Sequence, residues 1–171
     1  MLGFIFTVFI VATSLLIIGI IHKFHINRHF EERIKELPTF SFQLLNKKSF
    51  SSCEIKEGPL LVVHFHPECE HCQYEIAGIL KSKIIKPHLK VLLIANANPD
   101  SVIQFMNRFP ISETQDVITL IDTANAFKNS FGETIVPSNY LYDKDLKLIK
   151  VLYGEYKLET IMKLFDISEP S

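Results

Sequence analysis

A chain of 171 residues, 47% of them hydrophobic, is long enough for one domain of ordinary size plus an appendage and can bury a core without disulfide staples. Eighteen Lys and Arg against nineteen Asp and Glu, mixed along the chain, leave a formal net charge of -1 and no electrostatic footprint for nucleic acid. Three cysteines, a small and odd number, do not describe a disulfide-stapled secreted scaffold.

Residues 2–21 contain no charge. As a helix, twenty such residues cross roughly 30 Å of hydrocarbon, so the segment reads as a transmembrane anchor over residues 1–21. A cleavable signal peptide fits less well, because the apolar stretch is long and Ile21 runs directly into His22-Lys23-Phe24 with no small-residue cleavage site. No cysteine near the end of the stretch offers a lipidation site. Lys23, Arg28, Arg33 and Lys35 follow the span, and the positive-inside rule by itself would put the remainder in the cytoplasm. A dithiol chemistry downstream favours instead an extracytoplasmic, periplasmic address, where disulfides persist.

Residues 22–37 are polar with Phe30, Ile34 and Leu37 at helical spacing, the pattern of a stalk or linker, and Pro38 ends it. A domain over 38–171 follows. Residues 39–45 alternate as a strand, Asn46-Lys47-Lys48 turns the chain, and 49–52 reads as a second short strand or a helix cap, together an N-terminal hairpin. Residues 60–66 form a β-rich run, and a helix with apolar residues at 76, 79 and 80 runs on toward Lys86-Pro87. A buried strand at 89–95 precedes a helix opened by Pro99 that reaches about 109. Another strand at 117–121 leads, with Asp122 or Thr123 as N-cap, into a helix through Phe127 and Phe131 to Gly132. Strands at 139–142 and 148–153, joined by Asp143-Lys144-Asp145, and a helix at 158–165 complete an α/β domain whose sheet is parallel at first and antiparallel at the end.

Cys69-Glu70-His71-Cys72 lies where the run at 60–66 gives way to the helix. A thiolate at a helix N-terminus meets the positive end of the macrodipole and unpaired N–H groups, which moves its pKa down toward roughly 3.5–7.5. Cys69 is therefore the attacking thiol and Cys72, one turn deeper, the resolving one. Glu70 puts negative charge beside the forming thiolate, whereas a protonated His71 favours it, so the two residues pull the redox balance in opposite directions. The other chemistry open to CxxC is a soft-metal site, a Cu(I) or Zn carrier completed by His64, His66 or His71, with His64 and His66 sharing one strand face. No second CxxC or HxxxH exists to finish such a site, and no cofactor is called for. Cys53 reads as a small buried hydrophobe.

The stretch from Phe65-His66-Pro67-Glu68 through the CxxC to Gln73-Tyr74-Glu75, followed by Val136-Pro137-Ser138-Asn139-Tyr140, resembles the thioredoxin superfamily, and most of all its membrane-anchored TlpA/ResA branch. The likeness covers roughly residues 37–165. It implies a thioredoxin-like fold with a mixed central sheet flanked by helices, and thiol-disulfide exchange with disulfide-containing or dithiol protein substrates. It further implies a cis Val136-Pro137 bond whose loop faces the cysteines and offers its backbone to a substrate chain, and a role for Glu75 in moving protons to and from the thiols. The chain departs from the pattern at several points. Val63 stands where many thioredoxins bury an Asp, Glu68 replaces the aromatic residue that often precedes the first cysteine, and no threonine is placed for peroxidase chemistry.

Overall fold

The computed structural model describes residues 9–11, 13–19, 32–81, 89–109, 117–132 and 135–165. Two compact units divide the chain, Met1–Arg33 and Ile34–Ser171. In the first, residues 9–11 and 13–19 are helical, with Phe9, Leu15, Leu16 and Ile18 exposed and the Thr13 hydroxyl donating back to the carbonyls of Phe9 and Ile10. The rest of the expected anchor and stalk (1–8, 12 and 20–31) lies outside the described residues. Among those described, no helix is long and apolar enough to cross a membrane.

In the second unit, strands β1 (Ser41–Leu44) and β2 (Ser49–Ser51) form the expected hairpin, turned at Lys47 with a φ of 67°. Both readings of 49–52 are realised: β2 runs straight into a 3-10 turn, Ser52–Glu54, closed by a capping box in which Ser51 and Glu54 satisfy each other's backbone N–H. Strands β3 (Leu60–Phe65), β4 (Lys90–Ala95) and β5 (Val117–Ile121) pair in parallel. Strands β6 (Ser138–Tyr142) and β7 (Leu148–Tyr153) add antiparallel on the β3 side, and β1 adds antiparallel on β5. The seven-stranded order is β2-β1-β5-β4-β3-β6-β7. Helices α1 (Glu70–Lys81), α2 (Pro99–Met106), α3 (Phe127–Phe131) and α4 (Leu158–Leu164) follow β3, β4, β5 and β7.

All six residues of β3 are buried, as expected for a strand covered on both faces. Its period of two divides them. Leu61, Val63 and Phe65 enter one core with Cys72, Ile76 and Ile79 of α1, Phe105 of α2 and Ile161 of α4. His64 points to the other face and stacks on Phe127 of α3, ring centroids 4.0 Å apart and planes within 6°, in an aromatic cluster with Phe40, Phe42, Phe131 and Tyr140.

Two helix boundaries differ from the sequence reading, and a third falls outside the described residues. Helix α1 is described to Lys81, and the expected continuation toward Pro87 lies in residues 82–88, outside the described set. Helix α2, capped by the Asn98 side chain with Pro99 in its first turn, stops at Met106 and passes into a turn at Asn107 and Arg108. Helix α3 starts at Phe127, three residues later than an N-cap at Thr123 and four later than one at Asp122 would require. Asp122 still caps it from a distance: after β5 its buried carboxylate folds over an intervening turn and accepts from the N–H groups of Ala126 at 2.8 Å and Phe127 at 2.7 Å. Ahead of Pro38, Ile34 is 1% exposed, the Leu37 N–H donates to the Leu146 carbonyl, and the Leu148 N–H donates to the Lys35 carbonyl.

Replacing Asp122 by Ala leaves those two buried donors unpaired, and the substitution is expected to cost about 1–3 kcal/mol. Urea denaturation should show a lower midpoint at an unchanged m-value.

Candidate active site

The transition from β3 to α1 is built by hydrogen bonds that the local sequence supplies. The Cys69 N–H donates to the His66 carbonyl at 3.1 Å, closing a turn through Pro67 and Glu68. The Gln73 N–H donates to the Cys69 carbonyl at 2.9 Å, so Cys69 occupies the N-cap position and α1 begins at Glu70. Gln73 then reaches back to donate from Nε2 to the Pro67 carbonyl at 2.7 Å, and the Glu68 N–H donates to His66 Nδ1 at 3.3 Å. Both cysteines are free thiols, Cys69 half-buried and Cys72 fully buried one turn in.

The Val136-Pro137 bond is cis, and its loop faces the cysteines, the Cys69 thiol lying 3.9 Å from the Val136 carbonyl oxygen. A third segment completes the surroundings. After β7, the Gly154 N–H donates to the Pro137 carbonyl at 2.9 Å, Glu155 Oε2 meets His71 Nδ1 at 2.7 Å, and the backbone of Tyr156 faces Glu75. Gly154 has a φ of 92°, a conformation costly for any residue with a Cβ.

Burial dominates the electrostatics. It pushes the Cys72 thiol up to about 12; the backbone of His66 partly offsets this, while Cys69 and Glu75 add to it. Glu75, three residues along the helix and only 3% exposed, is pushed up to about 7, again first by burial. The Asn139 side chain and the Tyr156 backbone favour its charged form, while the charge of Glu155 opposes it. Among the described residues neither oxygen of Glu75 and neither polar atom of the Asn139 amide meets a partner in hydrogen-bond geometry, so the influence of Asn139 is that of a nearby dipole. Glu75 is thus an interior carboxyl beside the Cys72 thiol, not a surface residue.

Of the residues singled out in the sequence, Cys69, Cys72, Glu75, Val136 and Pro137 converge. Glu70 and His71 lie exposed in the first turn, His71 turned toward Glu155. The histidines of the metal-carrier alternative do not gather with the cysteines. His64 is on the sheet face opposite the cysteines, stacked on Phe127, and His66 lies one residue beyond the end of β3, close enough for its charge to act on His64. Among the described residues no group of three or more His, Cys, Asp or Glu could hold a metal ion. Cys53, expected buried, is exposed. Asn139 and Glu155 carried no sequence signal, since a strand Asn and a loop Glu acquire meaning only from what the fold brings beside them.

No family model and no curated protein matches the chain. Solved structures do. DsbF of Mycobacterium tuberculosis superposes with a TM-score of 0.65 at 18% identity, over 78% of this chain and 95% of that one. A secreted disulfide oxidoreductase of the same organism, homologous to E. coli DsbE, gives 0.64 at 15% identity over 80% and 98%. A thioredoxin-family thiol:disulfide interchange protein of Chlorobium tepidum gives 0.63 at 21% over 77% and 94%.

Two buried titrations oppose each other across the sheet. Glu75 binds its proton more tightly folded than unfolded, so between pH 4.5 and about 7 it makes stability fall as pH rises. His64, held down to about 4 by burial, binds its proton less tightly folded than unfolded, so between about 4 and 6.5 it makes stability rise with pH. Glu75→Gln should therefore unmask the histidine: chemical denaturation of the variant should show stability climbing by about 2–3 kcal/mol from pH 4 to 6.5, against a flatter wild-type profile.

The strand order, the CxxC at the start of α1 and the cis-proline loop beside it, together with these superpositions, establish that this chain has the thioredoxin-like fold.

Proposed function

We propose that the chain is a membrane-anchored thiol-disulfide oxidoreductase that reduces disulfides of protein substrates on the extracytoplasmic side. The observation that carries this reading is the pairing of a half-exposed Cys69 thiol, 3.9 Å from the Val136 carbonyl, with a fully buried Cys72 one turn behind it. One sulfur meets the substrate and the other waits.

In the reductive half-reaction the Cys69 thiolate attacks one sulfur of the substrate disulfide, whose S–S bond breaks and whose second sulfur leaves as a thiol after taking up a proton. Substrate and Cys69 are then joined by a mixed disulfide. Cys72 attacks the Cys69 sulfur, the Cys69–Cys72 bond forms, and the first substrate sulfur is released as the second thiol. Two electrons and two protons pass to the substrate, and a dithiol donor restores the protein. The proton that Cys72 loses passes by way of Glu75, a buried carboxyl that titrates near neutrality one turn along the same helix, to the substrate sulfur departing as the second thiol. The loop at Val136-Pro137 would hold the substrate chain in extended form.

Burial supports the direction. A resolving thiol pushed up to about 12 is poorly stabilised as a thiolate, which favours the disulfide over the dithiol and hence electron donation. The uncharged run at 2–21 supports the anchor, and the secreted character of one structural neighbour supports the outward address.

Cys69→Ser should abolish insulin-disulfide reduction, and Cys72→Ser should accumulate a mixed disulfide visible on a non-reducing gel; full activity in Cys69→Ser would overturn the reading. A membrane-impermeant maleimide applied to intact cells should label the reduced cysteines. Labelling only after lysis would place the domain in the cytoplasm.

A further inference from the structure

The segment after β7 reaches three parts of the site: Gly154 bonds the cis-proline loop, Glu155 bonds His71, one of the two residues between the cysteines, and the backbone of Tyr156 faces Glu75. Resting on the oxidoreductase reading, we propose that Glu155 is a positioning residue for His71, and that this clasp between the loop and the CxxC turn sets the balance between dithiol and disulfide.

The argument starts from the hydrogen bond. An ionised carboxylate only accepts, so at 2.7 Å from Glu155 Oε2 it is His71 Nδ1 that carries the hydrogen, which assigns the tautomer and leaves Nε2 outward. The His71 side chain is 74% exposed, and among the described residues its hydrogen bond is the one to Glu155, whose own side chain is only 31% exposed and whose loop is anchored by the Gly154 to Pro137 bond. The anchored partner therefore positions the free one. A carboxylate beside an imidazole favours positive charge on the ring, and positive charge in the first turn of a CxxC helix favours thiolate over disulfide. Glu155 also places its charge toward Glu75 on the inner side, so a single carboxylate faces both His71 and Glu75. The spacing is long, 84 residues from His71 to Glu155, which is why the pair is invisible in the motif.

The test is redox equilibration of the purified full chain with glutathione, in which oxidised protein and two glutathione thiols exchange for the dithiol and glutathione disulfide. Glu155→Gln should shift the equilibrium toward the protein disulfide by about two- to fivefold, the range of a partly exposed ion pair. His71→Gln should give the same shift, and the double variant should shift no further. Glu155→Asp, which keeps the charge on a shorter stem, should fall between wild type and Glu155→Gln. A merely structural glutamate would lower thermal stability while leaving the glutathione equilibrium unmoved. An unmoved equilibrium, a shift toward the dithiol, or single-variant shifts that multiply in the double variant would overturn the role of Glu155 while leaving the oxidoreductase reading intact. A wild-type chain inert toward both glutathione and insulin would overturn that reading and this inference with it.

Discussion

Burial of β3 on both faces is the constraint on which the site depends. Six consecutive residues without solvent leave the strand no freedom of register, because a slip of one residue would exchange the set packed on α1 for the set packed on Phe127. The end of the strand is thereby fixed, and the turn from His66 to Cys69 launches α1 from a defined point. Everything that matters chemically lies within the first two turns of that helix or on loops packed against it.

The same constraint explains the titrating groups. The sheet is thick enough to hold a carboxyl on one face and an imidazole on the other, each without a hydrogen-bond partner among the described residues. Burial disfavours charge in both, and because one is an acid and the other a base their contributions to stability run in opposite directions with pH. The two differ in what they face: Glu75 lies next to the Cys72 thiol, whereas His64 is packed flat against Phe127 in the aromatic core.

Most of the fold was legible in the chain. Buried strands declared themselves by continuous apolar runs, turns by Asn, Asp and Gly, and α2 by a proline in its first turn. The errors share one physical cause, the use of local chemistry where the partner is not local. Asp122 has the right residue type for an N-cap, but its carboxylate spans a turn to reach Ala126 and Phe127, so the helix begins later than adjacency suggests. His66, one residue past β3, gives its carbonyl and Nδ1 to the turn ahead of Cys69, a use that its residue type does not announce.

The sequence alone determined the chemistry available to this protein: a dithiol two residues apart at a helix start, a carboxylate one turn further, and a proline before a strand. Those features are local, and local spacing on a helix or strand is enough to read them. Only the tertiary structure decided what each group does, since exposure and charge environment depend on segments far away in the chain. It made Cys72 and Glu75 interior, carried Val136 to the Cys69 sulfur, and brought Glu155 to His71, because a sheet in which β6 pairs beside β3 returns the end of the chain to the place where the helix begins.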